Sequence, residues 1–258
     1  MKIDFKNPPI NEVSIGMQFA PLPNFRSEHV GLFWNRIRTA FPNSQQNFPL
    51  VDVGQVGQLG QMPTEIFPMP RYWFISKDDA TLIQIQRSAF LFNWRLREDE
   101  YPRFERVFDA FRRHRSNFIQ FLKEDLGATR IEQAKYQLNY VNLFEGVPYW
   151  SGAEEVPKIV PSFAFVDPRL QGAKPKDFNY TTIFQMEDDL SLNVVVRSGL
   201  NSVTGKKVLV LEFEASGTHS RFEAEKADGW YQRAHTVIAE SFVALTDPKI
   251  QEQYWIPK

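Results

Sequence analysis

The side chains able to do chemistry in this chain are few and scattered. There is no cysteine, so disulfides, thiol nucleophiles and thiolate zinc sites are excluded. The four histidines, His29, His114, His219 and His235, stand at no spacing that places two on one helical turn or in an HxH pair, so neither a metal nor another cofactor is expected. His235 draws attention because it shares an apolar helical periodicity with Tyr231 and Phe242, where a partnered imidazole would titrate near neutral pH. The commoner role of such a histidine is a satisfied core side chain. An unfamiliar enzyme site, assembled from His235, Tyr231 and a distant carboxylate, is the catalytic alternative. His219, with Ser220 and Arg221 behind Gly217, is expected in a loop, and its nearness to a serine makes no triad.

The densest charge is Arg95, Arg97, Arg103, Arg106, Arg112, Arg113 and Arg115, interleaved with Glu98, Asp99, Glu100, Glu105 and Asp109. Such interleaving predicts a salt-bridged helix face. Within it Arg112, Arg113 and Arg115, beside His114, are the candidate anion-binding set for a phosphate, a nucleic acid or an anionic lipid. With 30 Lys plus Arg against 31 Asp plus Glu, no overall field supports such binding, and any site must be local. Glu154-Glu155 and Glu187-Asp188-Asp189 sit in turn-like contexts without the spacing of a calcium loop. Gly205-Lys206-Lys207 lacks the rest of a phosphate loop, and no GxGxxG occurs, so nucleotide hydrolysis is not indicated.

The aromatic content is high, with 23 Phe, 8 Tyr and 6 Trp making 14% of the chain. Aromatics in this number build a bulky core, an apolar pocket or an aromatic contact surface. Tyr231, His235, Phe242 and Trp34 are the candidate ligand-binding residues.

Hydrophobic periodicity supplies the elements that must position these groups. Val13, Ile15, Met17 and Phe19 alternate with polar or small residues and predict a strand. Val30, Phe33, Trp34, Ile37 and Phe41 predict a helix from Ser27. Residues 42–70 read as a long irregular excursion around three Gly-Gln triplets, a place for partner contact. Arg71–Ser76 and Ala80–Phe92 read as a hairpin turning at Asp78-Asp79. Pro102 is expected to open a helix ending near Asp125, closed by Gly127, with a stripe of Phe104, Phe108, Phe111, Phe118 and Leu122 centred on Arg115.

Ile131–Phe144 predicts a long strand. Thr181–Met186, Leu190–Arg197 and Lys207–Glu214 predict three more, the last two joined through Gly199–Gly205. Asp228–Leu245 predicts a closing helix carrying Tyr231, His235, Ile238 and Phe242 on one face. The order β-α-β-β-α-β then β-β-β-α is that of an α+β protein, a mostly antiparallel sheet with helices on one face. The Pro-rich stretch 146–178 suggests an N-terminal half, 1–146, and a C-terminal half, 147–258, packed as one unit.

Asn7-Pro8-Pro9-Ile10-Asn11-Glu12-Val13, the run Gln84–Arg87 into Phe92-Asn93-Trp94-Arg95 and Tyr101-Pro102, and the closing Ala234-His235 through Phe242 with Trp255 resemble a sporadically distributed bacterial family of similar length and unknown function. That resemblance implies no catalytic residue; the family's patchy distribution implies an accessory role in anti-phage defence. The Asp228–Leu245 helix, the strands before it and the helix at 27–41 resemble the helix-grip, START-like domains, which would make Tyr231, His235 and Phe242 face an apolar cavity. No leader-like apolar core precedes the first strand and no stretch is long enough to span a bilayer, so a cytoplasmic location is expected. The expected function is a non-enzymatic binding protein for a partner protein or a lipid-like ligand, with nucleic-acid binding through the arginines as the alternative.

Overall fold

A computed structural model of the chain describes residues 5–50, 69–98, 100–146, 152–163, 175–201 and 204–258. The fold is α+β, with five helices and one large antiparallel sheet of nine strands among the described residues. In chain order the strands and main helices are β1 (Ile10–Gln18), α1 (Ser27–Ile37), β2 (Asn43–Asn47), β3 (Arg71–Ile75), β4 (Thr81–Gln86), β5 (Ala89–Arg95) and α2 (Phe104–Leu126). There follow β6 (Glu132–Glu145), α3 (Val156–Ile159), β7 (Asn179–Glu187), β8 (Leu190–Leu200), β9 (Lys207–Arg221), α4 (Ala224–Leu245) and α5 (Pro248–Ile250). Hydrogen-bonded neighbours run β2-β3-β4-β5-β1-β6-β9-β8-β7.

Four local expectations are corrected. The run Ala80–Phe92 is not one strand but β4 and β5, folded back at Arg87-Ser88. Leu82 to Gln86 and Ala89 to Trp94 are buried on both faces, so neither alternation nor a glycine marks the turn. The excursion after Pro42 begins with a regular strand, β2, paired with β3; its Gly-Gln triplets lie outside the described residues. Pro102 does not open α2: Arg103 is the N-cap, at φ 76°, and the helix starts at Phe104. His219 is not in a loop, because β9 continues past Glu214 to Arg221.

The chain forms two compact units whose limits fall inside β1, β6 and β9 and at the start of α4. One comprises Ser14–Tyr136 with Thr218–Glu223; the other comprises Met1–Val13, Gln137–Gly217 and Ala224–Lys258. In the first, the apolar stripe of α2 seals one face of β5. The Phe90 ring stacks 4.8 Å from Phe118, and Phe33 of α1 meets Phe118 edge-on at 5.5 Å. Each fully buried phenyl ring contributes about 2–3 kcal/mol through apolar area removed from water. Gly16 lets β1 approach β5, since a Cβ there would lie 2.5 Å from Leu91 Cγ and 2.7 Å from the Phe90 carbonyl. Gly127 closes α2 in the left-handed conformation, φ 65°.

In the second unit α4 covers β6 and β9. Phe242 packs against Phe5, Phe213 of β9 and Trp255, and Leu190, Leu192, Val194 and Val196 of β8 extend the same apolar interior. Gly217 admits the Asp189 carbonyl, which would sit 2.1 Å from a Cβ at that position. That carbonyl accepts a hydrogen bond from Trp230 Nε1 at 2.9 Å, which fixes the β7–β8 turn to α4.

Candidate functional site

The residues singled out by periodicity divide between core and surface. Tyr231 is fully buried, with the Trp230 ring edge-on at 5.3 Å, and Phe242 lies in the aromatic cluster above. His235 is half-buried and stacks near Tyr140, with Nδ1 3.1 Å from the Tyr140 hydroxyl. Trp34 belongs to the other unit, where its Nε1 donates to the Phe41 carbonyl at 3.0 Å and its ring stacks on Phe74. Tyr231 and Phe242 thus fill the interior of their own unit, and Trp34 pins the end of α1 in the other.

The arginine set is likewise split. Arg112 and Arg113 are exposed on α2, with Arg112 3.7 Å from Asp109 and over the Phe108 ring. Arg115 is 3% exposed, its guanidinium 5.3 Å from the ring centres of both Phe111 and Phe222. A cation held between two aromatic faces belongs to the interior. Elsewhere in the same charge-rich segment Arg95 and Arg97 both pair with Asp79, so much of the positive charge is already matched by carboxylates.

Around Arg115 lies a polar cluster that sequence spacing does not show. Tyr136 stacks on His219 at 4.4 Å, and Phe222 meets it edge-on. Burial pushes the Tyr136 phenol up, opposed by a Glu223 backbone hydrogen bond and by the Arg115 charge. Beside the cluster opens a cleft of about 240 Å³, floored by Ile119, Leu122, Ile131 and Phe222 and rimmed by Arg130 and Arg221. Arg221 is drawn to Glu223, with Nε to carboxylate 3.0 Å.

His114, also within the arginine run, packs between Phe41 at 5.1 Å and Phe92 at 5.4 Å. Burial, helped by the Arg113 charge, lowers its pKa to about 4, so it is neutral at pH 7. Among the described residues no group of three or more His, Asp or Glu side chains could hold a metal ion, and no helix is long and apolar enough to cross a membrane.

The most unusual surface is β7. Every one of its nine residues except Tyr180 is exposed, with Ile183 at 70%, Phe184 at 42% and Met186 at 43%. Its register, Tyr180↔Val196, Thr182↔Val194 and Phe184↔Leu192, puts Tyr180, Thr182 and Phe184 on the face that carries the buried Val196, Val194 and Leu192 of β8. The apolar face thus runs one strand beyond its cover. Three of the eight exposed large apolar residues among those described fall in this single strand, with Phe184 on the face continuous with the buried side chains of β8 and Ile183 on the other.

The free side of β7 follows from its pairing. Ser198 N–H donates to the Phe178 carbonyl at 3.0 Å, so Phe178 turns its polar groups to β8. Alternation then turns Tyr180, Thr182 and Phe184 to β8, and leaves the backbone groups of Asn179, Thr181, Ile183 and Gln185 pointing away. Among the described residues β7 pairs with β8 alone. Glu187 is the one charged residue in the strand, and Arg233 holds it at 3.0 Å and Asp189 at 2.7 Å, clamping the hairpin. The strand itself was foreseeable from its alternation; its edge position was not, because pairing partners are set by the whole topology.

No protein-family model, no curated protein and no solved structure matches this chain.

Proposed function

We propose that this chain is a non-enzymatic binding protein that takes up an extended segment of a partner protein along β7. The observation that carries the reading is an exposed, apolar edge strand whose outward backbone groups have no partner strand among the described residues. Strand addition at such an edge draws affinity from main-chain hydrogen bonds and selectivity from alternate side chains. Natural edges are often blunted by lysine or proline, and β7 has neither; its register shift between Gln185 and Glu187 and its one charge, Glu187, are confined to its C-terminal end. The clamp by Arg233 and Trp230 supports the same role, since a recognition edge works best when it is held rigid.

The test is selection of displayed nine-residue extended peptides on the purified protein. Selected peptides are expected to slow amide exchange at Thr181, Ile183 and Gln185 and to lose binding to Ile183→Pro. Recovery of no peptide that depends on this edge would overturn the reading.

A second binding reading rests on the cleft beside Arg115. Its aliphatic floor under Arg130 and Arg221 suits a small amphiphile with an anionic head. Decanoate is the probe: saturable binding that weakens in Ile119→Asp and with added salt supports it, and salt-independent or absent binding removes it. An accessory role in anti-phage defence stays attached to these binding functions as a proposal, tested by deleting the gene and challenging the host with phage.

A further inference from the structure

We propose that the β7 edge receives the β7 edge of a second copy, antiparallel about a two-fold axis at Ile183; this rests on the reading of β7 as a recognition edge and names its occupant. A two-fold contact brings the same patch from each copy together, so the patch must be complementary to itself. The nine residues Asn179–Glu187 meet that condition. With the axis at Ile183, Thr182 faces Phe184 of the second copy, Thr181 faces Gln185, and Ile183 faces its own equivalent. The outward N–H and C=O groups of Thr181, Ile183 and Gln185 from both copies then complete on the order of six ladder hydrogen bonds.

Charge disfavours the neighbouring register with its axis at Thr182. An axis at Thr182 would set Asp177 opposite Glu187 of the second copy, two carboxylates facing across the ladder. An axis at Ile183 pairs the stretch Thr181 to Gln185 with itself, which holds no charged residue and ends before the register shift between Gln185 and Glu187, so no like charges meet. The apolar faces also continue one another. Tyr180, Thr182 and Phe184 extend the buried face of β8, and their equivalents would extend it onto the second copy, with the two Ile183 side chains, each 70% exposed alone, in contact on the opposite face. A foreign partner selected by charge would have only Glu187 to read, and that carboxylate is occupied by Arg233.

The experiment is sedimentation of the full chain over a wide range of concentration, into the hundreds of micromolar, with amide exchange recorded at both ends. A dimer is expected, with exchange at Thr181, Ile183 and Gln185 slowing as concentration rises and exchange at Thr182 and Phe184 unchanged, because β8 already engages those two. Ile183→Pro removes an outward N–H that β8 does not use, and Ile183→Lys sets two ammonium groups opposite each other. Both variants are expected to be monomeric throughout, and the lysine variant keeps the question answerable if proline disturbs the strand.

A wild-type chain that stays monomeric overturns the self-pairing, as does a dimer that survives Ile183→Lys. If the wild type is monomeric yet edge-dependent peptides are still selected, β7 remains a recognition strand for another protein. If neither occurs, both ideas fall.

Discussion

β2 and β7 stand at the two ends of the strand order, and their chemistry is opposite. β2 is Asn-Ser-Gln-Gln-Asn, exposed over four of its five residues, with Gln45 Nε2 donating to Asn47 Oδ1 at 3.2 Å. Its side chains are polar and mostly exposed, so an uncovered β2 loses little. β7 is also exposed, yet it presents Ile183, Phe184 and Met186. Leaving such residues in water has a cost that a polar strand avoids, so the contrast teaches that two exposed strands can differ in what their exposure costs.

The contrast breaks most decisively if β7 proves to be covered. Leu192→Ala, one strand inside the edge and 1% exposed, is expected to lose about 3 kcal/mol, whereas Phe184→Ala, its cross-strand neighbour, should lose under about 1 kcal/mol. Urea denaturation of the two variants decides it: equal losses would mean that Phe184 is not at a free surface.

Acid separates the two units in a different way. His114 lies in the unit that carries β2, and its folded pKa of about 4 is below its ordinary value of 6.5. The unfolded chain therefore takes up the proton first. Stability due to the neutral imidazole is complete above about pH 6.5 and is lost as the pH falls from there through 4, by up to about 3 kcal/mol. His114→Phe should flatten that part of the profile, as measured by thermal unfolding at a series of pH values.

Converting one edge into the other sharpens the comparison. Gln45→Ile with Asn47→Phe gives β2 an apolar stripe and is expected to create concentration-dependent association by light scattering, with stability changed by less than about 1 kcal/mol. The smallest effect belongs to the clamp on the β7 hairpin. Arg233 is 44% exposed, its proton held more tightly by its hydrogen bond to Asp189. Arg233→Gln should cost under about 1 kcal/mol, less again in high salt, and show chiefly as faster amide exchange around Glu187.

Much of the fold was legible because periodicity reports which face a segment buries. The stripe Phe104, Phe108, Phe111, Phe118 and Leu122 emerged as the buried face of α2, and Leu190, Leu192, Val194 and Val196 as that of β8. Periodicity is silent where both faces are buried, as in β4 and β5, since a continuous apolar run hides its own turn. β2 left no such trace, because nothing in a polar strand alternates.

The candidate site divides along the same line. Sequence alone determined the absence of cysteine chemistry, the lack of a phosphate loop, the α+β class and the strand that became β7, because each depends on residue type or on spacing along one segment. Only the tertiary structure decided that Arg115 lies between two phenyl rings, that Tyr231 and Phe242 fill a core, that Trp34 falls in the other unit, and that β7 has one neighbour among the described residues. These depend on which segments meet across long stretches of chain, and a local pattern of hydrophobicity carries no record of its partner.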